Sequence, residues 1–250
     1  MPSLPASPVP APLLSLPAHL RAALPLQGLT VLAVEDSRFA SDALRLMCQR
    51  AGARLRRAET LETARAHLRT YRPDVVIVDL GLPDGRGEAL IRDLVLSARR
   101  PAVILGTSGA EGGRSAALAA GADGFLDKPF ESLAAFCLAL RRHLPDLDVL
   151  PPPGVEDRVE PDPLALQDDL ARAAALLAAP GSAGRYLAGF LAGIAGQNHD
   201  TALAAAASTA TLPDRSPDRA ERDLTALRQM IGDRLAVPAA FLSCRKTTDG

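Results

Sequence analysis

The feature that most constrains the fold is a series of short apolar runs, each followed by a helical pattern. The runs are TVLAV (30–34), ARLRRA (53–58), DVVIVD (74–79), AVILG (102–106) and GFLD (124–127). The first, third and fourth runs are almost continuously apolar, as strands covered by helices on both faces must be. Because strands and amphipathic helices alternate, the sequence predicts an α/β fold with a five-stranded, parallel, doubly wound sheet.

Proline-rich segments divide the chain of 250 residues into parts. Residues 1–27 contain seven prolines, and because proline fixes φ and removes an amide donor, we predict a disordered Pro/Ala-rich arm. A short docking peptide is the alternative for this arm. Residues 146–163 contain three consecutive prolines in an acidic stretch, which predicts a linker. The predicted domains are therefore residues 28–145, which form the α/β domain, and residues 164–250, which form a small all-helical region.

Charge and composition disfavour several classes of protein. The chain has 28 basic and 29 acidic side chains, a net charge of −1, so no overall field attracts it to nucleic acid or anionic lipid. The sequence shows neither a signal peptide nor about 18 consecutive apolar residues, which predicts a soluble chain without a membrane span. Cys48 and Cys137 fall within apolar helical patterns, which favours free thiols over disulfides. We therefore expect a cytoplasmic protein.

Polar residues occupy the points where the predicted strands end. Glu35 and Asp36 follow the first strand, and Asp79 ends the third. Thr107 follows the fourth strand, and Lys128 follows the fifth. Doubly wound sheets bind ligands at the carboxyl ends of their strands, because neighbouring strands bring their ends to one edge. We therefore expect these side chains to converge.

Three carboxylates at one edge repel one another and need a cation. A set of oxygen ligands without histidine or cysteine suits Mg²⁺, which completes its coordination with carbonyls, waters and phosphate oxygens. A carboxylate between Mg²⁺ and the ammonium group of Lys128 is well placed to attack a phosphoryl group, which the hydroxyl of Thr107 would then bind. The alternative is that these are ordinary polar residues at loop starts, with Asp36 or Ser37 only capping the next helix.

The segments VLAVEDSRFASDALRLM, DVVIVDLGLPDGRG, AVILGTSG and AGADGFLDKPF together resemble the receiver domain of two-component response regulators, over roughly residues 28–145. The resemblance implies a flavodoxin-like domain that accepts a phosphoryl group from a histidine kinase or a histidine phosphotransfer protein, with Mg²⁺ as cofactor. It implies that Asp79 is the phosphoacceptor and that Lys128 pairs with the acidic cluster. The implied metal ligands are Glu35, Asp36, Asp79 and the backbone carbonyl of Gly81. The protein would then be a regulatory phosphoacceptor and not an enzyme in the usual sense.

The resemblance also implies two switch residues. The switch hydroxyl is matched to Thr107, with Ser108 as the alternative. Counting back from Lys128 without gaps reaches Gly106, so one deletion in the loop is needed to place Thr107 at this position. Phe125 matches the switch aromatic residue of the family, and the alternative is that it is a plain core aromatic.

Two departures from the family pattern affect the predicted site. The acidic pair is Glu35-Asp36 where the family more often has two aspartates, which keeps a ligand but lengthens its reach. Gly81, the second residue after Asp79, offers no side chain to the phosphoryl group or to a hydrolytic water. The lifetime of the phosphoryl group is therefore open.

Residues 164–250 show helical patterns and no β-like run, which predicts a helical bundle that acts as an interaction or dimerisation module. From residue 151 onward there are 10 basic and 13 acidic side chains, a net charge of −3. Because phosphate contacts supply much of the affinity for DNA, a DNA-binding output is a less favoured alternative. A degenerate histidine phosphotransfer-like domain is the other; its histidine would be His199, although alanines follow where that family has lysine and glycine. The predicted function is a phosphorelay response regulator that switches protein–protein interactions.

Overall fold

The computed structural model of the chain describes residues 24–144, 157–179, 185–210 and 216–237. Most of the predicted arm and of the predicted linker therefore lies outside the described residues, as does Cys244. Residues 24–27, assigned to the arm from the sequence, form a turn against the α/β domain. Leu26 is buried there, and its amide donates a hydrogen bond to the carbonyl oxygen of Ala51 at 2.8 Å.

Strands and helices alternate through the first half of the described chain, and helices follow in the second half. The strands are β1 (Thr30–Val34), β2 (Arg54–Ala58), β3 (Val75–Asp79), β4 (Gly81–Leu82), β5 (Gly85–Arg86), β6 (Val103–Ser108) and β7 (Gly124–Asp127). The helices are α1 (Arg38–Ala51), α2 (Leu61–Thr70), α3 (Gly87–Leu96), α4 (Gly113–Ala119), α5 (Leu133–Arg141), α6 (Pro163–Ala178), α7 (Arg185–Gln197), α8 (Thr201–Ala210) and α9 (Pro217–Leu235).

Five strands form one parallel sheet in the order β2-β1-β3-β6-β7, which confirms the predicted doubly wound fold. Successive residues of β1 alternate between two cores. Val31 and Ala33 pack on the side of α1 and α5, while Leu32 and Val34 pack on the side of α2 and α3. Both faces are covered, and this explains why the strand is apolar at each of the four positions from Val31 to Val34. The short antiparallel pair of β4 and β5 was not predicted, because two-residue strands leave no periodic pattern.

Local sequence signals fix the ends of α1, the helix that follows the acidic pair. Ser37 caps its first turn by accepting a hydrogen bond from the amide of Ala40 at 3.0 Å. Gly52 ends the helix in the left-handed conformation, with φ of 84°, which glycine adopts without strain. Because α1 begins two residues after Asp36, its first turn starts at the edge of the sheet where Glu35 and Asp36 lie.

The helices α6 to α9, called here the helical region, bury a core of their own, and this core includes Phe39 of α1. The chain reaches the helical region through residues 157–162, and Val159 is buried in the core of the α/β domain. The helical region is thus packed directly on the α/β domain. In the part of the chain that the structure describes, no helix is long and apolar enough to cross a membrane.

Candidate functional site

The structure brings the three predicted carboxylates together at the carboxyl edge of the sheet. Glu35 and Asp36 follow β1 and Asp79 ends β3, its neighbour in the sheet. One carboxylate oxygen from each lies within 4.8 Å of the others, and all three residues are buried. We call these three residues the acidic cluster. Their proximity follows from the parallel pairing of the strands, which ends each strand at the same level.

Lys128, which follows β7, reaches into the acidic cluster. Its Nζ lies 2.8 Å from Oε2 of Glu35 and 2.7 Å from Oδ2 of Asp79, and its side chain is 1% exposed. Burial by itself lowers the pKa of Lys128, but the carboxylates of Asp79 and Glu35 outweigh it and raise the pKa above its ordinary value. Burial raises the pKa of Glu35 well above its ordinary value, although Lys128 opposes this shift. The ammonium group of Lys128 does not by itself balance three buried carboxyl groups.

The acidic cluster has the composition of a site for a hard divalent cation. Burial raises the pKa of Asp36 to about 6, although a hydrogen bond from Tyr186 and the charges of Arg172 and Lys128 oppose the shift. Oxygens on opposite sides of one Mg²⁺ ion lie about 4 Å apart. The three carboxylates therefore need only small movements to share an ion, and the donor set fits Mg²⁺.

The hydroxyl groups at the end of β6 differ in their surroundings. Thr107 pairs in register with Asp79, is fully buried, and its Oγ1 has no hydrogen-bond partner. Ser108 pairs in register with Asp127, and its Oγ accepts a hydrogen bond from the amide of Ala110 at 3.0 Å. A buried hydroxyl without a partner is unusual and calls for a reason. The hydroxyl of Thr107 is therefore the one that is buried beside Asp79 without any partner, and it can donate to a ligand there.

Phe125 and Gly81 lie next to these groups. Phe125, on β7, pairs in register with Gly106 and packs partly buried against the core on the side of α2 and α3, with the guanidinium of Arg114 5.2 Å from its ring centre. The amide of Gly81 donates to Oδ1 of Asp79 at 3.0 Å. Both oxygens of Asp79 are therefore held, one by Gly81 and the other by Lys128.

Comparison with known protein families matches residues 31–138 to the family described as the response regulator receiver domain. The α/β domain is a receiver domain. The family match ends within α5, so the helical region lies outside it.

The chain is also similar to individual proteins. The KDP operon transcriptional regulatory protein KdpE of Escherichia coli K12 is 43% identical over 116 residues, which cover 45% of this chain and 52% of that protein. The transcriptional regulatory protein PhoP of the same strain is 37% identical over 119 residues, with the same two coverages of 45% and 52%. The crystal structure of a response regulator from Chloroflexus aurantiacus is 28% identical, covers 47% of this chain and 98% of that chain, and gives a TM-score of 0.44. The chain spans about half the length of the curated relatives it matches.

Two side chains of the helical region reach the acidic cluster of the receiver domain, and the sequence carries no local signal for them. The hydroxyl of Tyr186 donates to Oδ2 of Asp36 at 2.5 Å. Nη2 of Arg172 lies 3.2 Å from the same oxygen, while Nη1 donates to the backbone carbonyl of Asp36 at 3.0 Å. Burial and the neighbouring Asp36 raise the pKa of Tyr186, so its phenol remains a donor. The acidic cluster therefore already has a cationic partner besides Lys128.

His199, the candidate phosphotransfer histidine, lies away from the acidic cluster. It follows α7 in a left-handed conformation with φ of 56°, and α8 begins two residues later. Its Nε2 lies 2.7 Å from Oε1 of Glu131, in the segment between β7 and α5. The contact joins the helical region to the receiver domain, which is a structural explanation for the histidine.

Proposed function

We propose that the protein is a response regulator in which Asp79 accepts a phosphoryl group from a histidine kinase or a histidine phosphotransfer protein. The observation that carries the proposal is the position of the Lys128 ammonium group, which bridges Glu35 and Asp79 inside a buried acidic cluster. A carboxylate beside a fixed cation is a suitable nucleophile for phosphoryl transfer, because the cation stabilises charge on the transferring oxygens.

In the proposed reaction, a carboxylate oxygen of Asp79 attacks the phosphorus atom of the donor. A new P–O bond forms, and the bond between phosphorus and the leaving group breaks. With phosphohistidine the bonding pair stays on the imidazole nitrogen, and with acetyl phosphate it leaves with acetate. Lys128 already lies 2.7 Å from Asp79, so its ammonium group can pair with a phosphoryl oxygen after little movement.

The proposed metal ligands are Glu35, Asp36, Asp79 and the backbone carbonyl of Gly81, which together form an oxygen-only set. Bound Mg²⁺ would neutralise charge on the phosphoryl oxygens. The glutamate in the acidic pair has one more methylene than aspartate, which lets its carboxylate reach both the cation and Lys128. Gly81 places no side chain beside the phosphoryl group, so we propose that its lifetime depends on how far water reaches Asp79.

Thr107 is the proposed switch hydroxyl and Phe125 the proposed switch aromatic residue. A phosphoryl group on Asp79 would supply the acceptor that the buried Oγ1 of Thr107 now lacks. The hydroxyl would move toward the phosphoryl group. Phe125, which pairs with Gly106 in the neighbouring strand β7, would then move into the space that the hydroxyl leaves. Such contacts can bias an existing equilibrium only by the free energy they add to one of its two states.

The test is incubation of the full chain with acetyl phosphate and Mg²⁺, followed by intact-mass measurement. We expect one added phosphoryl group in the wild type, none in Asp79→Asn, and none when EDTA removes the metal. Asp93→Asn is the matched control, because Asp93 is an exposed carboxylate that pairs with Arg65 at 3.1 Å, remote from the acidic cluster. Unchanged modification of Asp79→Asn would refute the assignment.

We infer that the output passes through protein contacts of the helical region, as a homodimer or with another protein. The net charge of −3 from residue 151 onward supports this, because DNA binding needs a basic surface. The names of KdpE and PhoP, which are transcriptional regulators, support the alternative of a DNA-binding output. Light scattering with and without acetyl phosphate tests for a dimer. A shift of DNA fragments that weakens steeply with salt would instead establish the alternative.

A further inference from the structure

The helical region covers the acidic cluster through one face of α7 that consists of small residues. Gly189, Gly193 and Gly196 lie on this face, four and three residues apart. A methyl group at Gly193 would lie 3.3 Å from Nζ of Lys128, and one at Gly189 would lie 4.0 Å from the Cα atom of Gly81. A methyl group at Gly109, in the loop after β6, would lie 2.5 Å from the carbonyl oxygen of Ala192. The backbone of α7 therefore rests directly on the loops that surround Asp79.

α6 contacts the same carboxyl edge of the sheet at the first turn of α1. Oδ2 of Asp169 accepts hydrogen bonds from Oγ of Ser37 at 2.7 Å and from the amide of Phe39 at 3.0 Å, and Oδ1 accepts one from the amide of Arg38 at 2.9 Å. Asp169 is 1% exposed. It therefore caps the first turn of α1, directly after the acidic pair, from a separate part of the chain.

Arg172 and Tyr186 contact the carboxylate of Asp36 as a bound cation would. Both contact Oδ2 of Asp36, and the two side chains are joined by a hydrogen bond of 2.7 Å from Arg172 to the phenol oxygen. The guanidinium of Arg172 also stacks 4.9 Å from the ring centre of Phe190 on α7. A divalent cation at Asp36 would compete for the same carboxylate group and would repel the guanidinium.

Asp79 is also shielded from a phosphodonor. Its exposed fraction is 7%, and those of Glu35 and Asp36 are 1% each. A donor must bring a phosphoryl group, with its leaving group in line, to within about 3.5 Å of the attacking oxygen. The helix α7 lies across Gly81 and Lys128, which flank Asp79. The docked helical region therefore leaves little access for a phosphodonor at Asp79.

We propose that the helical region is an intramolecular inhibitor of the receiver domain, in which Arg172 and Tyr186 hold Asp36 in place of the divalent cation. Cation binding and phosphorylation then require α6 and α7 to leave the acidic edge, and this release exposes the small-residue face of α7. The proposal rests on the proposed function for its link to phosphorylation. The competition between the helical region and a cation at Asp36 stands without it.

The first test measures Mn²⁺ affinity of the full chain by calorimetry without a phosphodonor. Tyr186→Phe removes the hydrogen bond to Asp36 and keeps the ring, and Arg172→Gln removes the charge. We expect each variant to bind Mn²⁺ roughly tenfold to a hundredfold more tightly, which is the effect of losing one charge-assisted hydrogen bond that competes with the cation. The control is Arg38→Gln, since the side chain of Arg38 forms an exposed pair with Asp168 on α6, while the hydrogen bond of its backbone amide to Asp169 is kept in this variant. The Mn²⁺ affinity of this variant should match that of the wild type.

The second test displaces α7 with a bulky side chain and changes no charge. Gly193→Leu places a large side chain against Lys128, whereas Gly232→Leu makes the same change in α9 at a site with open space around it. We expect Gly193→Leu, and not Gly232→Leu, to raise amide hydrogen exchange in the first turn of α1, to bind Mn²⁺ more tightly and to react faster with acetyl phosphate. Exchange within α8 and α9 should stay at the wild-type level, which shows that the bundle itself remains folded.

The outcomes separate the two proposals. If no variant is phosphorylated but Mn²⁺ binds more tightly to Tyr186→Phe, Arg172→Gln and Gly193→Leu, the phosphoacceptor function is wrong and the inhibitory contact stands. If all three variants match the wild type in Mn²⁺ affinity and in phosphorylation rate, the inhibitory contact is refuted and the function stands. Saturating beryllofluoride with Mg²⁺ gives a direct check on the wild type: unchanged exchange protection in α7 and at Phe39 would also refute the inhibitory contact.

Discussion

Replacement of Thr107 by valine should stabilise the unphosphorylated protein and remove its response to phosphorylation. Thr107 is fully buried and its Oγ1 has no hydrogen-bond partner, a situation that costs about 1–3 kcal/mol. Valine has nearly the same shape and the same β-branch, so it keeps the packing of β6 and removes the unsatisfied group. We expect a gain of about 1 kcal/mol in the free energy of unfolding, which corresponds to a rise of roughly 2–4 °C in Tm.

The measurement that isolates this effect is hydrogen exchange of the β6 amides without metal or phosphodonor, because it reports on the receiver domain and not on the helical region. Thr107→Ser is the first control: it keeps the hydroxyl and loses a buried methyl group, so it should lower stability by about 1 kcal/mol. Ser108→Ala is the second, and it should leave the response to beryllofluoride intact. A valine variant less stable than the wild type would show that the hydroxyl has a partner and would refute the reasoning.

Two further predictions concern particular side chains. Asp169→Ala should lower the free energy of unfolding by about 1–2 kcal/mol, because the α1 cap is lost. Asp168→Ala should change the free energy of unfolding by less than about 1 kcal/mol, because the pair of Asp168 with Arg38 is exposed. Equal effects of the two substitutions in urea denaturation would contradict the capping role. Burial raises the pKa of Cys48 to about 12 and that of Cys137 to about 11, so the thiolate is scarce at pH 8 and both thiols should resist iodoacetamide until the protein unfolds. Peptide mapping checks this, and rapid labelling of Cys48 in the native protein would contradict its burial.

The sheet could be predicted because burial on both faces leaves a strong pattern in the sequence. The runs in β1 and β3 are apolar at successive positions, and the alternation with helices restricts the order of the strands. The end of β6 was less predictable: the apolar run stops at Gly106, but the strand continues to Ser108 because Thr107 and Ser108 pair with residues of β7. Pairing with a neighbour, and not local sequence, decides where that strand ends.

The acidic cluster was accessible to sequence reasoning for a related reason. Glu35 and Lys128 stand immediately after predicted strands and Asp79 is the last residue of one, and parallel pairing brings the strand ends together whatever the conformation of the loops. The choice between Thr107 and Ser108 was not accessible in this way, since it depends on which hydroxyl points into the protein. In the structure Ser108 has a local backbone partner, while Thr107 has none.

The amino-acid sequence by itself determined the α/β architecture, the position of the carboxylates and ammonium group at one edge, and the helical character of the second half. These follow from hydrophobic periodicity and from the order of residues along each strand. Only the tertiary structure decided what lies on that edge. The contacts of Arg172, Tyr186 and Asp169 with the receiver domain join residues 130 or more positions apart. The close approach of α7 depends on glycines, which give no side-chain pattern in the sequence. Such contacts depend on how the core of the helical region packs against the receiver domain, and no local sequence pattern predicts this packing.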